Sequence, residues 1–160
     1  MIEVQRIGSA AGAAGARLLS AVHADCFKEP WDEATIARLL DGPGIYGLAA
    51  ADAEGSVALV PLGMALCRVA GGEAEILTLG VVPGRRRQGV GRQLVGECHV
   101  IARAGGTDSL FLEVAADNGA ALALYSGLGF RQIGRRENYY QVQNKKETAQ
   151  DALILRMALL

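Results

Sequence analysis

Cysteine is scarce and poorly placed for cross-linking. Cys26, Cys67 and Cys98 are three in number, far apart and without a Cys-x-x-Cys pair, which argues against a disulfide framework and against a cysteine-based zinc site. An excess of either charge is also missing. The net charge is -1 and the isoelectric point near 6.1, whereas a nucleic-acid binder is usually basic overall. Long apolar runs are absent too: the longest obvious uncharged stretch, Gly55 to Cys67, is short of the roughly 18 residues expected of a membrane span. No leader is apparent, because Glu3 precedes Arg6 and the Ala/Gly stretch from Ser9 to Ala16 is cut off by Arg17. No internal repeat is found. With 51% hydrophobic and 21% charged residues over 160 positions, the chain is expected to form one α/β domain spanning 1–160. It is expected to be cytoplasmic, a monomer or weak dimer, with no metal and no nucleic-acid or membrane partner.

The most informative stretch runs from Ile76 to Gly91. It passes from the apolar Ile76-Leu77-Thr78-Leu79-Gly80-Val81-Val82 through Pro83-Gly84-Arg85-Arg86-Arg87-Gln88 to Gly89-Val90-Gly91. Pro83-Gly84 cannot continue a strand ladder. Beyond it Val90, Leu94, Cys98 and Ile101 recur at helical spacing, while Arg92, Gln93 and Glu97 fall mostly on other faces, so a helix is expected from near Gly89 to Arg103. Gly89 and Gly91 present no Cβ to an approaching ligand, and the free amides of a helix start carry about half a positive charge. Arg85, Arg86, Arg87 and Arg92 add full charges. A ligand with several phosphate oxygens is the expected occupant. A dinucleotide fingerprint needs Gly or Ala where Leu94 stands, and a P-loop needs Lys and Ser/Thr where Val90 and Gly91 stand, so both are excluded.

The remaining elements follow from apolar patterning and breakers. Strands are expected at Ile2 to Ile7, Ile45 to Ala50, Val57 to Val69, Glu73 to Val82, Ser109 to Val114, Phe130 to Arg135 and Ala152 to Ala158. Pro61 marks a bulge or edge in the longest of them. Helices are expected at about Ala13 to Phe27, with Leu18, Leu19, Val22 and Cys26 inward, from an Asp32 cap to about Leu40, and from Asn118 to Leu128. Trp31, the only Trp, follows the helix-stopping Pro30, either as a core plug or as a wall for a substrate. His23 and Cys26 are the best metal pair in the chain, weighed against simple packing. Cys98-His99 as nucleophile and base is weighed the same way, since adjacent helical residues point apart.

Two residues of the second half carry candidate chemistry. Glu113 interrupts Leu110-Phe111-Leu112-Glu113-Val114, a run apolar on both faces. A carboxylate desolvated there would hold a proton more readily and serve as a base; the alternative is an ion pair with an arginine. Tyr125 is expected to turn aside from a core stripe of Ala121, Leu124 and Leu128, as a proton donor or as packing.

The segment Arg86-x-x-Gly89-x-Gly91, between a strand and a helix, resembles the acyl-CoA pyrophosphate loop of the GCN5-related N-acetyltransferases (GNAT). The stretch from Glu113 to Phe130, containing Asn118, Ala121, Leu124-Tyr125 and Gly129-Phe130, resembles that family's second acetyl-CoA motif. Cys26-Phe27-Lys28-Glu29-Pro30-Trp31 and Arg135-Arg136-Glu137-Asn138-Tyr139-Tyr140 are similar to the RimI branch, the ribosomal-protein alanine N-acetyltransferases. Glu137 is one residue more than the branch pattern, and Gln141 to Gln150 departs from its short turn.

The resemblance implies a single GNAT domain, with a mixed and mainly antiparallel sheet splayed around acetyl-CoA and about four helices. It implies Leu79, Gly80 and Val81 as backbone partners of the pantetheine arm. Arg86, Arg87, Gln88, Gly89, Val90, Gly91 and Arg92 would hold the pyrophosphate, and Asn118 would bond the pantetheine. Glu113 would be the base and Tyr125 the acid, with Trp31, Tyr139 and Tyr140 beside the acceptor. Glu75 is the rival base, expected to be solvated near Gly71-Gly72. The implied acceptor is the N-terminal amine of a ribosomal protein. A lysine or small-molecule acetyltransferase and a non-catalytic CoA sensor are the alternatives.

Overall fold

The computed structural model describes residues 1–53, 61–140 and 150–159, with Tyr140 described by its backbone. The chain runs β1 (Ile2–Ile7), α1 (Gly12–Cys26), α2 (Glu33–Leu40), β2 (Ile45–Asp52), β3 (Pro61–Ala70), β4 (Glu73–Val81), α3 (Val90–Ala104), β5 (Ser109–Ala115), α4 (Gly119–Gly127), β6 (Arg131–Tyr140) and β7 (Gln150–Ala158). Asp32 caps α2 as expected: its Oδ1 accepts from Thr35 N at 2.8 Å, and bonds from Thr35 hold its carboxyl below the usual range. Among the described residues no helix is long and apolar enough to cross a membrane.

The strands form one sheet in the order β1-β2-β3-β4-β5-β7-β6. Every neighbouring pair is antiparallel except β4 with β5. β2 and β3 read as nearly continuous apolar strands because helices cover both of their faces. Tyr46, Leu48, Ala65 and Cys67 meet Val90, Leu94 and Cys98 of α3 in one core cluster. Ala49, Met64 and Leu66 meet Leu19 and Val22 of α1 and Ile36 and Leu40 of α2 in the other.

The parallel pair is short. β4 and β5 match only at Ala74↔Leu110, Glu75↔Phe111 and Ile76↔Leu112. On the other side of β4 the register passes from Leu66↔Thr78 to Cys67↔Ile76, which leaves Leu77 as an extra residue. Such a bulge bends its strand and raises the local twist. From Thr78 to Val81, β4 keeps β3 alone as a partner, while β5, paired with β7 from Ser109↔Ala158 onward, continues to Ala115↔Ala152 without β4. The sheet opens as a wedge at this point.

Several expected boundaries are corrected. On α1 the fully buried side is Gly15, Ala16, Leu19, Val22 and His23, with Leu18 and Cys26 only half-buried. Pro61 stands opposite Ala51 across a register shift, as a bulge position should; the expected strand positions 57–60 lie outside the described residues. β6 runs beyond Arg135 to Tyr140 because its second half also pairs with β7.

Candidate active site

The loop between β4 and α3 begins with a single 3-10 turn at Pro83–Arg85 and ends at Gly89. That glycine has φ +87° and no side-chain bond caps α3. The first amides of α3 consequently lack intrahelical acceptors. A Cβ on Gly89 would meet nothing within 4 Å, so the space over the helix start is open. Gly91 plays a different part from the one expected. A Cβ there would lie 2.9 Å from Leu124 Cδ2, so its missing side chain lets α3 close on α4. Gly80 likewise makes room for protein, since a Cβ would lie 2.8 Å from Cys26 Sγ and 3.1 Å from Phe27.

The four arginines divide. Arg85 Nη2 is bound to Asp52 Oδ2 at 2.8 Å, and Asp52 also takes the amino group of Met1 at 3.3 Å. These bonds hold the Asp52 carboxyl below the usual range, the Arg85 bond foremost. Arg85 is thus committed to the fold and is removed from the expected phosphate set. Arg86 Nε donates to Val81 O at 3.1 Å and Gln88 Nε2 to Gly84 O at 3.3 Å, bonds that shape the loop. Arg87 and Arg92 are exposed and, among the described residues, enter no ion pair. Arg87 has φ +62°, an uncommon conformation for a residue with a Cβ.

Across the wedge, Asn118 caps α4, its Oδ1 accepting from Ala121 N at 3.2 Å. Among the described residues its carboxamide NH2 enters no hydrogen bond, and it can donate twice to a ligand. Tyr125 is the buried residue of α4 and lies edge-on to Phe130 with ring centroids 5.5 Å apart. Ala121, Leu124 and Leu128, expected as the buried stripe, are half-buried; the bare left-handed turn at Gly129 brings Phe130 back onto the tyrosine.

Of the two readings of Glu113, apolar enclosure is corrected and the alternative, an ion pair with an arginine, is the one observed. Its Oε1 pairs with Arg136 Nη2 at 2.9 Å, and its side chain is 22% exposed. Glu75 pairs with Arg68 Nη2 at 2.7 Å and is 34% exposed, so it is not simply solvated either. Desolvation does not separate the two carboxylates; position does. Glu75 stands opposite Phe111 inside the closed parallel register, whereas Glu113 follows the last pair, Ile76↔Leu112, where the strands have parted.

Arg136 also lies under the Tyr139 ring, 5.3 Å from its centroid. The extra Glu137 is absorbed in a bulge, since residues 137–139 of β6 face the single Asp151 between Arg136↔Ala152 and Tyr140↔Gln150. Asp151 holds that bulge, accepting from Asn138 N at 2.8 Å and Arg135 Nε at 2.6 Å; these bonds, the Asn138 amide first, lower its carboxyl below the usual range. Asn138 adopts φ +49°, which asparagine tolerates better than most residues. Tyr139 is 48% exposed beside it. The side chain of Tyr140 and residues 141–149 lie outside the described residues.

His23 was not expected to be central. It is buried, its ring stacks between Phe27 and Trp31, and both ring nitrogens are engaged by Trp31 N and Thr78 Oγ1. That is packing, not metal binding, and the cue in the sequence was an isolated polar residue one turn below Phe27. Cys98 is also a core residue. It lies 2.9 Å from Cys67 Sγ, and that contact together with burial pushes its thiol well up, the opposite of what a nucleophile needs.

Known proteins resemble this chain in sequence and in fold. The N-alpha-acetyltransferase RimI of Mycobacterium tuberculosis is 37% identical over 114 residues, 71% of this chain and 70% of that protein. The crystal structure of the ribosomal-protein-S18-alanine N-acetyltransferase from Escherichia coli superimposes with a TM-score of 0.83 at 26% identity, covering 99% of this chain and 94% of the other. Arabidopsis thaliana NAA60 in complex with acetyl-CoA shares the fold, with a TM-score of 0.81 at 20% identity over 99% and 98% of the two chains. The family model for the acetyltransferase (GNAT) family matches residues 16–130, more than half of the 160 positions, and the chain therefore belongs to that family.

Proposed function

We propose that this chain transfers the acetyl group of acetyl-CoA to the N-terminal α-amine of a protein, and that the acceptor is an N-terminal alanine of a small-subunit ribosomal protein. The reading takes residues 1–160 as one catalytic domain working in the cytoplasm. The observation that carries it is the opened edge of β4 at Leu77 to Val81, with the uncapped start of α3 at one end and Glu113 across the wedge. The acceptor class is supported by similarity to the RimI relatives.

The residues suit acetyl-CoA. The backbone of Leu79, Gly80 and Val81 would bond the pantetheine arm as an added strand does. Asn118 would donate to it from Nδ2. The amides at Gly89, Val90 and Gly91, with Arg87 and Arg92, would take the pyrophosphate, on a loop that Arg86 and Gln88 hold in shape. Acetyl-CoA supplies an activated thioester. Glu113 removes a proton from the acceptor ammonium, the freed amine forms the new N–C bond as the C–S bond breaks, and Tyr125 gives its phenolic proton to the departing sulfur. The second proton of the nitrogen then leaves to restore the phenol, so that the one proton released overall is the one Glu113 passes to solvent. Holding both reactants in the wedge contributes much of the rate, about 7 to 11 kcal/mol in favourable cases. Trp31 and Tyr139 would border the acceptor terminus. An α-amine, with a reference pKa of about 7.8 against 10.4 for lysine, costs about 3.5 kcal/mol less to deprotonate at neutral pH.

Thiol release from acetyl-CoA tests the activity. Release is expected on addition of a peptide beginning with alanine and not without it; tight CoA binding with no release would make the chain a sensor. Tyr125→Phe is expected to retain acetyl-CoA affinity while turnover falls by about 100-fold. Unchanged turnover would leave Tyr125 as packing against Phe130.

A further inference from the structure

We propose that His23 is a positioning residue that ties the acceptor wall at Trp31 to the cofactor strand at Thr78; this rests on the reading of Trp31 as part of the acceptor site. His23 is in the last turn of α1 and 3% exposed. Its ring is stacked with Phe27 at 4.2 Å and 26° and with Trp31 at 5.1 Å and 14°. Nδ1 accepts the backbone N–H of Trp31 at 3.1 Å, and that bond requires a lone pair on Nδ1. The proton of the neutral ring must then sit on Nε2, which donates to Thr78 Oγ1 at 3.2 Å. Burial lowers the His23 pKa and so favours the neutral ring.

The two bonds lead to the two halves of the proposed site. Thr78 immediately precedes Leu79, Gly80 and Val81, and Gly80 itself fits closely against Cys26 and Phe27. Trp31 ends the segment Phe27-Lys28-Glu29-Pro30, whose residues are all exposed. The indole of Trp31 is half-buried against the cluster of α1 and α2, and the bond and stack at His23 add the polar tie that fixes its place there. The pyrophosphate loop, by contrast, is held by Arg85 and Arg86 and is independent of His23. Loss of the Trp31 bond should weaken acceptor binding and leave acetyl-CoA binding alone.

Two polar variants separate the bonds. His23→Asn places an acceptor near the Nδ1 position and keeps the Trp31 bond; His23→Gln places a donor near Nε2 and keeps the Thr78 bond. With an alanine-initiated peptide, His23→Gln is expected to raise the acceptor KM by about tenfold, the scale of one lost buried hydrogen bond, with the acetyl-CoA KM unchanged. His23→Asn loses the ring stack and the Thr78 bond but retains a bond to the Trp31 amide, so its acceptor KM is expected to rise several-fold less than that of His23→Gln. Trp31 is the only tryptophan, so acrylamide quenching of its emission reads the same displacement without catalysis, and His23→Gln should quench more readily. Equal peptide KM and equal quenching in the two variants, or a joint loss of kcat and both KM values, would overturn the proposal. If the unaltered protein acetylates no peptide while quenching still separates the variants, the functional reading fails and the mechanical link stands without it.

Discussion

Gly89→Glu is expected to abolish acetyl-CoA binding while the protein stays folded. Nothing lies within 4 Å of a Cβ at this position, so the new side chain displaces no protein atom. The folding penalty is confined to a residue with a Cβ at φ +87°, about 1 to 2 kcal/mol. The effect on the ligand is far larger. A carboxylate at the N-terminus of α3 would occupy the space intended for the pyrophosphate, take up the uncapped amides itself and face the phosphates with like charge. At about 4 Å and an intermediate dielectric that repulsion alone is worth about 4 kcal/mol, roughly a thousandfold in affinity. Gly89→Ala carries the same backbone strain without the charge and should bind acetyl-CoA far better than Gly89→Glu. Calorimetry on both variants checks the argument, and micromolar binding by folded Gly89→Glu would remove the loop assignment.

Glu113→Gln is expected to lower turnover by about 100- to 10,000-fold, the span usual for a general base, with acetyl-CoA affinity preserved. The exchange is nearly isosteric. It leaves Arg136, whose side chain is 54% exposed, without its partner, and a surface charge in that position costs little stability. The remaining activity should rise as pH rises, because the fraction of free α-amine grows through its pKa of about 7.8 and less proton removal is left to the enzyme. Glu75→Gln should have a small effect, since Glu75 sits in the closed part of the β4/β5 pair and is held by Arg68. Near-normal rates for Glu113→Gln together with a lost acidic limb for Glu75→Gln would move the base to β4.

The parts of this site that the sequence reveals are those set by neighbours along the chain. The apolar run into Pro83-Gly84, the helical spacing of Val90, Leu94 and Cys98, and the capping residue Asp32 are local signals, and each element they mark is present. What is decided by distant contacts is not legible. The insertion of β7 between β5 and β6 depends on pairing across the sheet. The bulge at Leu77, which opens the wedge, has no residue of its own to announce it, since Ile76-Leu77-Thr78-Leu79 reads as an unbroken strand. The apolar residues beside Glu113 in sequence leave enclosure and an ion pair with an arginine both open; which arginine meets it, Arg136, is decided by another strand. Gly91 and Gly89 are identical in sequence terms, yet one accommodates Leu124 and the other faces open space. His23 could not be connected to Thr78 by spacing, as 55 residues separate them.

The most direct test of α-amine transfer uses one peptide with a free N-terminal alanine and an internal lysine, incubated with acetyl-CoA and the protein at neutral pH. Fragmentation by mass spectrometry then locates the acetyl group. The account predicts acetyl on the α-amine alone, with no product when that amine is blocked beforehand. Acetyl on the lysine, or undiminished product from the blocked peptide, would contradict it.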